Sequence, residues 1–314
     1  MKTLALGCMG MSGMYGPSDE NESIATIHAA LDRGIKLIDT GDFYGMGHNE
    51  MVIGRAIKGR RDQCQLSVKF GVLRGPDGAF FGQDARPAAV KNFLAYSLQR
   101  LGVDYIDIYR PARLDSNVPV EDTIGAIAEM IQAGYVRRIG LSEVGSATIR
   151  RAQAVHPIAD LQIEYSLLSR GPEEKIFPLL AELGIGVTAY GVLSRGLLSG
   201  SSTSGRGDFR AHLPRFLGEN FTRNQVLVKE LQSLAAERNI SPSQLAIAWV
   251  LAKNERIIPV IGARTRAQLE ESLGALAVNL SPADLDRIET AIPATAVAGT
   301  RYAEQQMKHL DSER

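Results

Sequence analysis

Residues 36–45, KLIDTGDFYG, set a short apolar run against two carboxylates and a tyrosine. The run Lys36–Asp39 is too short for a helix and lacks the alternation of a strand with one wet face. It reads as a strand covered on both sides, with Asp39 at its end. Upstream, Glu22–Arg33 has helical period and stops at Gly34, a residue free to take the left-handed conformation that ends helices. Downstream, Glu50–Lys58 is helical again.

The same unit recurs along the chain. Strands are expected at Leu4–Gly7, Leu66–Lys69, Tyr105–Tyr109, Arg138–Leu141, Leu161–Ile163, Gly186–Ala189 and Ile257–Ile261. Helical patterns fall at Arg86–Leu101, Glu121–Ala133, Ser146–Val155, Glu173–Leu183, Pro242–Ala252 and Thr265–Leu276. Gly102, Gly134 and Gly184 supply further helix stops, and Ser241-Pro242 a helix start. Eight strands alternating with eight helices point to an α/β protein with a closed (β/α)8 (TIM) barrel, since an open doubly wound sheet would stop at five or six strands. No linker divides residues 1–314, so a single domain is expected. Two additions stand out. A long loop rich in Gly, Ser and Arg, Gly191–Asn220, follows the seventh strand, and Ser281–Ile292 reads as an extra C-terminal helix before a polar tail.

Bulk properties narrow the function. Lys plus Arg equals Asp plus Glu at 35 each, giving no reason to expect nucleic acid or an anionic membrane as partner. No run reaches the roughly 18 apolar residues that span a bilayer. The N-terminal residues lack a convincing cleavage site, so a cytoplasmic protein is expected, with oligomerisation open. Cys8 and Cys64 have no metal or redox spacing, and the five histidines are scattered, which leaves metal catalysis without support.

In such a barrel, polar residues ending strands face the mouth. Asp39 and Lys69 end the second and third strands, and Tyr44 lies in the loop after the second. A lysine closing a buried strand needs a partner, and Asp39 is the obvious one. Phenols have an ordinary pKa near ~10. A neighbouring ammonium would favour the phenolate and ease proton donation to a developing alkoxide. The same residues are also compatible with a buried ion pair that only stabilises the barrel.

The stretch LIDTGDFYGMGHNEMVIGRAI (37–57) resembles the signature of the aldo-keto reductases. VKFG, LGVDYIDIY, IQAGYVRRIGLSEV, LQIEYSLLSR, VTAYGVLSRGLLSG and IPVIGARTRAQLEESLGAL resemble further family blocks in the right order, over residues 7 to about 292. The resemblance implies an NADP(H)-dependent oxidoreductase acting on a small carbonyl or alcohol substrate. Tyr44 would be the general acid, tuned by Lys69 and Asp39. Ser142 and Gln162 would hold the nicotinamide carboxamide and Tyr190 would stack on its ring, with Gly191, Leu193 and Arg195 binding cofactor at the start of the long loop. Gly262, Arg264, Gln268 and Glu271 would hold the adenosine 2′-phosphate and adenine, at a strand-to-helix turn suited to anions. Tyr15, Phe43 and Arg113 are candidates for the substrate side. Arginines in the mouth loops (Arg206, Arg210 and Arg215 among them) point either to an anionic substrate or to the cofactor pyrophosphate.

The pattern breaks at four places. A family segment of the form YxxHRxD reads Tyr109-Arg110-Pro111-Ala112-Arg113-Leu114-Asp115, with Ala112 where the catalytic histidine belongs, in a manner also associated with pyridoxal reductases. Tyr44 alone, Arg113 beside it, or reduced catalysis are the readings left. Glu143 and Ser272 stand where asparagines are usual, and no N-terminal hairpin precedes the first strand. The Ala112 departure keeps an NADP(H)-binding sensor barrel with weak turnover as the main alternative. A Schiff-base enzyme using Lys69 is disfavoured by the adjacent aspartate, which keeps the lysine charged.

Overall fold

A computed structural model describes residues 2–200 and 208–313. In chain order its strands are β1 (Ala5–Gly7), β2 (Leu37–Gly41), β3 (Gln65–Phe70), β4 (Val72–Arg74), β5 (Phe80–Gln83), β6 (Ile106–Pro111), β7 (Val136–Ser142), β8 (Ile158–Glu164), β9 (Gly186–Tyr190) and β10 (Ile257–Gly262). Eight of them close into a parallel barrel in the order β1-β10-β9-β8-β7-β6-β3-β2, the architecture read from the sequence. Strand β1 shuts the ring, pairing Leu6 with Ile38 on one side and with Ile261 on the other. The remaining two form an antiparallel hairpin, β4–β5, beside the mouth; it was not expected, and it exposes Phe80 and Phe81.

The helices are α1 (Glu20–Asp32), α2 (His48–Ile57), α3 (Pro87–Leu101), α4 (Val120–Gln132), α5 (Ser146–Val155), α6 (Pro172–Leu183), α7 (Gly218–Ala236), α8 (Pro242–Lys253), α9 (Arg266–Leu273), α10 (Pro282–Ala291) and the short α11 (Glu304–Met307). Their inner faces cover the outer side chains of the strands in one core, which is why the strands carry so little polar alternation. Helix α8 shows its start in the sequence: Pro242 opens it, and Ser241 and Gln244 bond each other's backbone in a capping box. The extra C-terminal helix is present as α10.

The long connection after β9 ends only three residues before the expected Asn220, where α7 begins at Gly218; this helix, running to Ala236, was not expected. Buried Leu227, Val228, Leu231, Leu234 and Ala235 recur at helical spacing, a signal present in the sequence but set behind a Gly- and Ser-rich prelude. Strands β2 and β6 also run two residues beyond their expected ends, since Gly41 still pairs with Lys69 and Pro111 with Phe70.

Inside the barrel, Ala5, Leu37, Ile108 and Val260 form an apolar plug. Side chains two residues further along a strand point the same way, toward the mouth. There the interior changes character: Leu37 gives way to Asp39 and Ile108 to Arg110, both buried.

Candidate active site

Asp39 is the hub of the polar layer. Its Oδ1 accepts from Lys69 Nζ at 2.5 Å, and its Oδ2 accepts from Ser67 Oγ at 2.8 Å and Gln162 Nε2 at 2.7 Å. The layer continues downward. Arg110 Nη2 donates to Ser67 Oγ (3.0 Å) and Nη1 to Asp160 Oδ2 (3.0 Å), which also accepts from Thr188 Oγ1 (2.7 Å). Buried charges survive when paired and hydrogen-bonded, and here two ion pairs share the serine that lies between them.

Tyr44 stands in a tight turn after β2, its ring edge-on to Phe43 with centroids 4.8 Å apart. The Lys69 ammonium faces the Tyr44 ring, 5.1 Å from its centroid, and no described residue hydrogen-bonds the hydroxyl. The expected lowering of the Tyr44 pKa by Lys69 is therefore not what this geometry gives. Burial, followed by the negative charge of Asp39, pushes the phenol well above its ordinary value, and the cation opposing that shift is Arg113. Burial also pulls the Lys69 ammonium down, against the pull of Asp39.

Position 112 is a buried alanine at the end of β6, with nothing to donate. The neighbouring Arg113 donates to the Ala112 carbonyl (2.6 Å) and to the Tyr302 hydroxyl (3.3 Å). Ser142 ends β7 with its hydroxyl buried and without a partner among the described residues. Tyr190 ends β9, its hydroxyl donating to Glu143 Oε1 (2.7 Å) and lying 3.1 Å from that of Tyr302.

Glu143 anchors the C-terminal tail. It is buried, it takes a positive φ of 53°, and its carboxylate accepts from Arg301 (2.5 and 2.8 Å) and Ser312 (2.6 Å). Burial alone would raise this carboxyl, but the Arg301 guanidinium outweighs it and holds the pKa at about 2. Asp311 Oδ2 accepts from the Gly145 N–H at the start of α5 (2.8 Å). The tail beyond α10 is thus tied across the mouth, bringing Tyr302 against Tyr190, Arg113 and Arg195, whose guanidinium lies 4.4 Å from the Tyr302 ring centroid. Nothing in the polar tail sequence signals this contribution.

At the start of the long loop Gly191 has a φ of +66°, Leu193 precedes a tight turn, and Arg195 pairs with Glu164 at 2.8 Å. Arg210 is engaged by Asp208, and Arg215 reaches Ser169 and the Gly299 carbonyl; Arg206 lies outside the described residues. Across the mouth, β10 leads into α9. Gly262 is exposed with open space above it, and Arg264 reaches the carbonyls of Tyr15 and Pro17 (3.2 and 3.3 Å). Gln268 and Glu271 are exposed on α9, and Gln268 Oε1 accepts from the Arg264 N–H. Tyr15 packs on Phe209, which joins this end to the loop after β9.

The sequence profile of the Aldo/keto reductase family matches residues 3–293. This chain belongs to that family. It is 41% identical to a probable aldo-keto reductase 1 of Glycine max, over 95% of this chain and 88% of that protein. It is 40% identical to the NADP(+) aldo-keto reductase yakc of Schizosaccharomyces pombe, over 95% and 91% of the two chains. Among solved structures, a glycerol dehydrogenase from Gluconobacter oxydans superposes with a TM-score of 0.83 at 29% identity, covering 93% and 92%. Against the aldo-keto reductase pattern, sequence reasoning missed the Arg110–Asp160 ion pair, Arg301 and Tyr302. The pair was hidden because the expected strands ended at Tyr109 and began at Leu161, one residue short of each charge. No metal-ligating cluster and no helix long and apolar enough to cross a membrane occurs among the described residues.

Proposed function

We propose that this aldo-keto reductase uses NADPH to reduce an aldehyde or ketone to an alcohol, with Tyr44 giving the proton. The convergence of Asp39, Lys69 and the unbonded Tyr44 hydroxyl at the mouth carries this reading. Ser142 supports the cofactor assignment, because its buried, partnerless hydroxyl at a strand end is suited to an amide ligand. Ser142 and Gln162 would hold a carboxamide, and Tyr190 would face the nicotinamide ring. Gly191, Leu193 and Arg195 would bind from the loop after β9. Gly262, Arg264, Gln268 and Glu271 would take the adenosine end, where the exposed glycine leaves room and Arg264 has no carboxylate partner among the described residues. When bound, NADPH supplies the hydride.

The chain's own part is to orient the carbonyl and deliver the proton. Asp39 pairs with Lys69 beneath the Tyr44 ring, and the charge of Arg113 favours the phenolate left once the proton has gone. Phe43 lies on the substrate side of Tyr44, and Tyr15 borders the same mouth. In this reading residues 1–314 form one catalytic barrel domain.

The test is titration with NADPH and NADH, followed by turnover of 4-nitrobenzaldehyde and pyridoxal beside a Tyr44→Phe variant. General acids contribute about 10²–10⁴-fold, so the variant should lose that much turnover while still binding NADPH. Tight binding with no turnover of any carbonyl would favour a sensor barrel instead, the reading that Ala112 keeps open.

A further inference from the structure

Four cations around the mouth each have a carboxylate partner. Lys69 pairs with Asp39, Arg110 with Asp160, Arg195 with Glu164 and Arg301 with Glu143. Arg113, on the same rim, forms no ion pair among the described residues and bonds only a carbonyl and a phenol oxygen. The Glu143 carboxylate is near enough to act on Arg113 through its charge, but its oxygens are taken by Arg301, Ser312, Tyr190 and the Glu164 N–H. Arg113 is half-buried, and a guanidinium without a carboxylate of its own has donors to offer a ligand anion.

Arg113 also stands where such an anion would meet the chemistry. Its charge acts on both Tyr44 and Lys69. Beside it Ala112 presents only a short apolar side chain, and the Tyr302 hydroxyl lies within hydrogen-bonding reach of the guanidinium. In the proposed arrangement the adenosine 2′-phosphate is taken by Arg264 and does not engage Arg113.

We propose that the carbonyl substrate of this enzyme carries a carboxylate, which Arg113 binds with the Tyr302 hydroxyl as a second donor. This rests on the reductase reading and narrows it from any small carbonyl compound to an oxo acid.

The experiment compares 4-carboxybenzaldehyde with its methyl ester as substrates, in the wild type and in Arg113→Met and Arg113→Lys. Benzoate binding to the NADP+-loaded protein is measured in parallel by calorimetry. Charge-assisted hydrogen bonds support an expected fall of about 10- to 100-fold in the ratio of kcat/KM for acid over ester in Arg113→Met. Arg113→Lys should recover part of that ratio, and benzoate should bind the wild type and not Arg113→Met. An acid-to-ester ratio unchanged in Arg113→Met, with both aldehydes slowed alike, would overturn the proposal and assign Arg113 to the carbonyl oxygen. Arg113-dependent benzoate binding with neither aldehyde reduced would keep the anion site and remove the reductase reading. Failure of benzoate to bind, with the ester reduced as well as the acid, would remove the anion site and keep the reductase.

Discussion

Arg110 and Asp160 meet inside the barrel, Nη1 to Oδ2 at 3.0 Å, with the arginine fully buried. Through Ser67, which accepts from Arg110 and donates to Asp39, this pair is joined to Lys69 and so to the base of Tyr44. The site therefore rests on a second, deeper charge pair.

Removing one member of that pair leaves the other buried without compensation, which costs about 3–5 kcal/mol. Arg110→Met and Asp160→Asn should each destabilise by that order in urea unfolding. The double variant Arg110→Met/Asp160→Leu should lose less than the sum, because no lone charge remains.

Gly140 is the space that Arg110 needs. A Cβ there would lie 2.9 Å from the Arg110 Cζ, 2.8 Å from Asp160 Oδ1 and 2.9 Å from Ile108 Cγ2. Gly140→Ala should destabilise by about 1–3 kcal/mol through overpacking. Combined with Arg110→Ala the penalty should shrink, which a double-mutant cycle measures.

Asp42 has both carboxylate oxygens buried without a hydrogen-bond partner among the described residues. Burial, then the charge of Glu50, pushes its pKa up to about 8. Between the ordinary aspartate value near ~4 and about 8, the folded chain binds a proton that the unfolded chain does not, so this group makes stability fall as pH rises through that window. Asp42→Asn should remove that slope. Its melting temperature at pH 8.5 should exceed the wild type's by at least about 2 °C, the shift that 1 kcal/mol gives a large domain.

Glu143 has the opposite sign. With its pKa lowered from 4.5 to about 2, its bonds to the tail are at full strength above pH 4.5 and are lost as pH falls through about 2. Hydrogen exchange should report this as increasing exposure of residues 298–313 on acidification. Arg301→Met should raise exchange there already at pH 7, by about 10- to 100-fold, the equivalent of losing one charge-assisted contact.

Much of this architecture was legible because the period and the punctuation agreed. Eight apolar runs flanked by helical patterns gave the barrel, and glycines such as Gly102 and Gly184 marked its turns with left-handed backbones. The Asp39–Lys69 contact followed from the demand that a buried lysine find a carboxylate. What escaped the sequence was carried by long-range geometry. Arg301 and Tyr302 lie in a polar tail whose residues reach the mouth only after the chain has circled the barrel, and no local pattern encodes that. The orientation of Lys69 beneath the Tyr44 ring is likewise a matter of packing, which spacing cannot supply.

The seam at β1 governs how such a chain can reach its native state. Ala5–Gly7 borrows half its ladder from Leu37–Gly41, made soon after it, and half from Ile257–Gly262, made much later. Until the later strand arrives, the growing sheet is an open ribbon with a bare edge at either end, the condition in which strands recruit neighbouring chains. Ring closure joins residues far apart in sequence, so it comes late and is paid in loop entropy before any contact rewards it. Three residues at that seam turn a curved, adhesive sheet into a closed one.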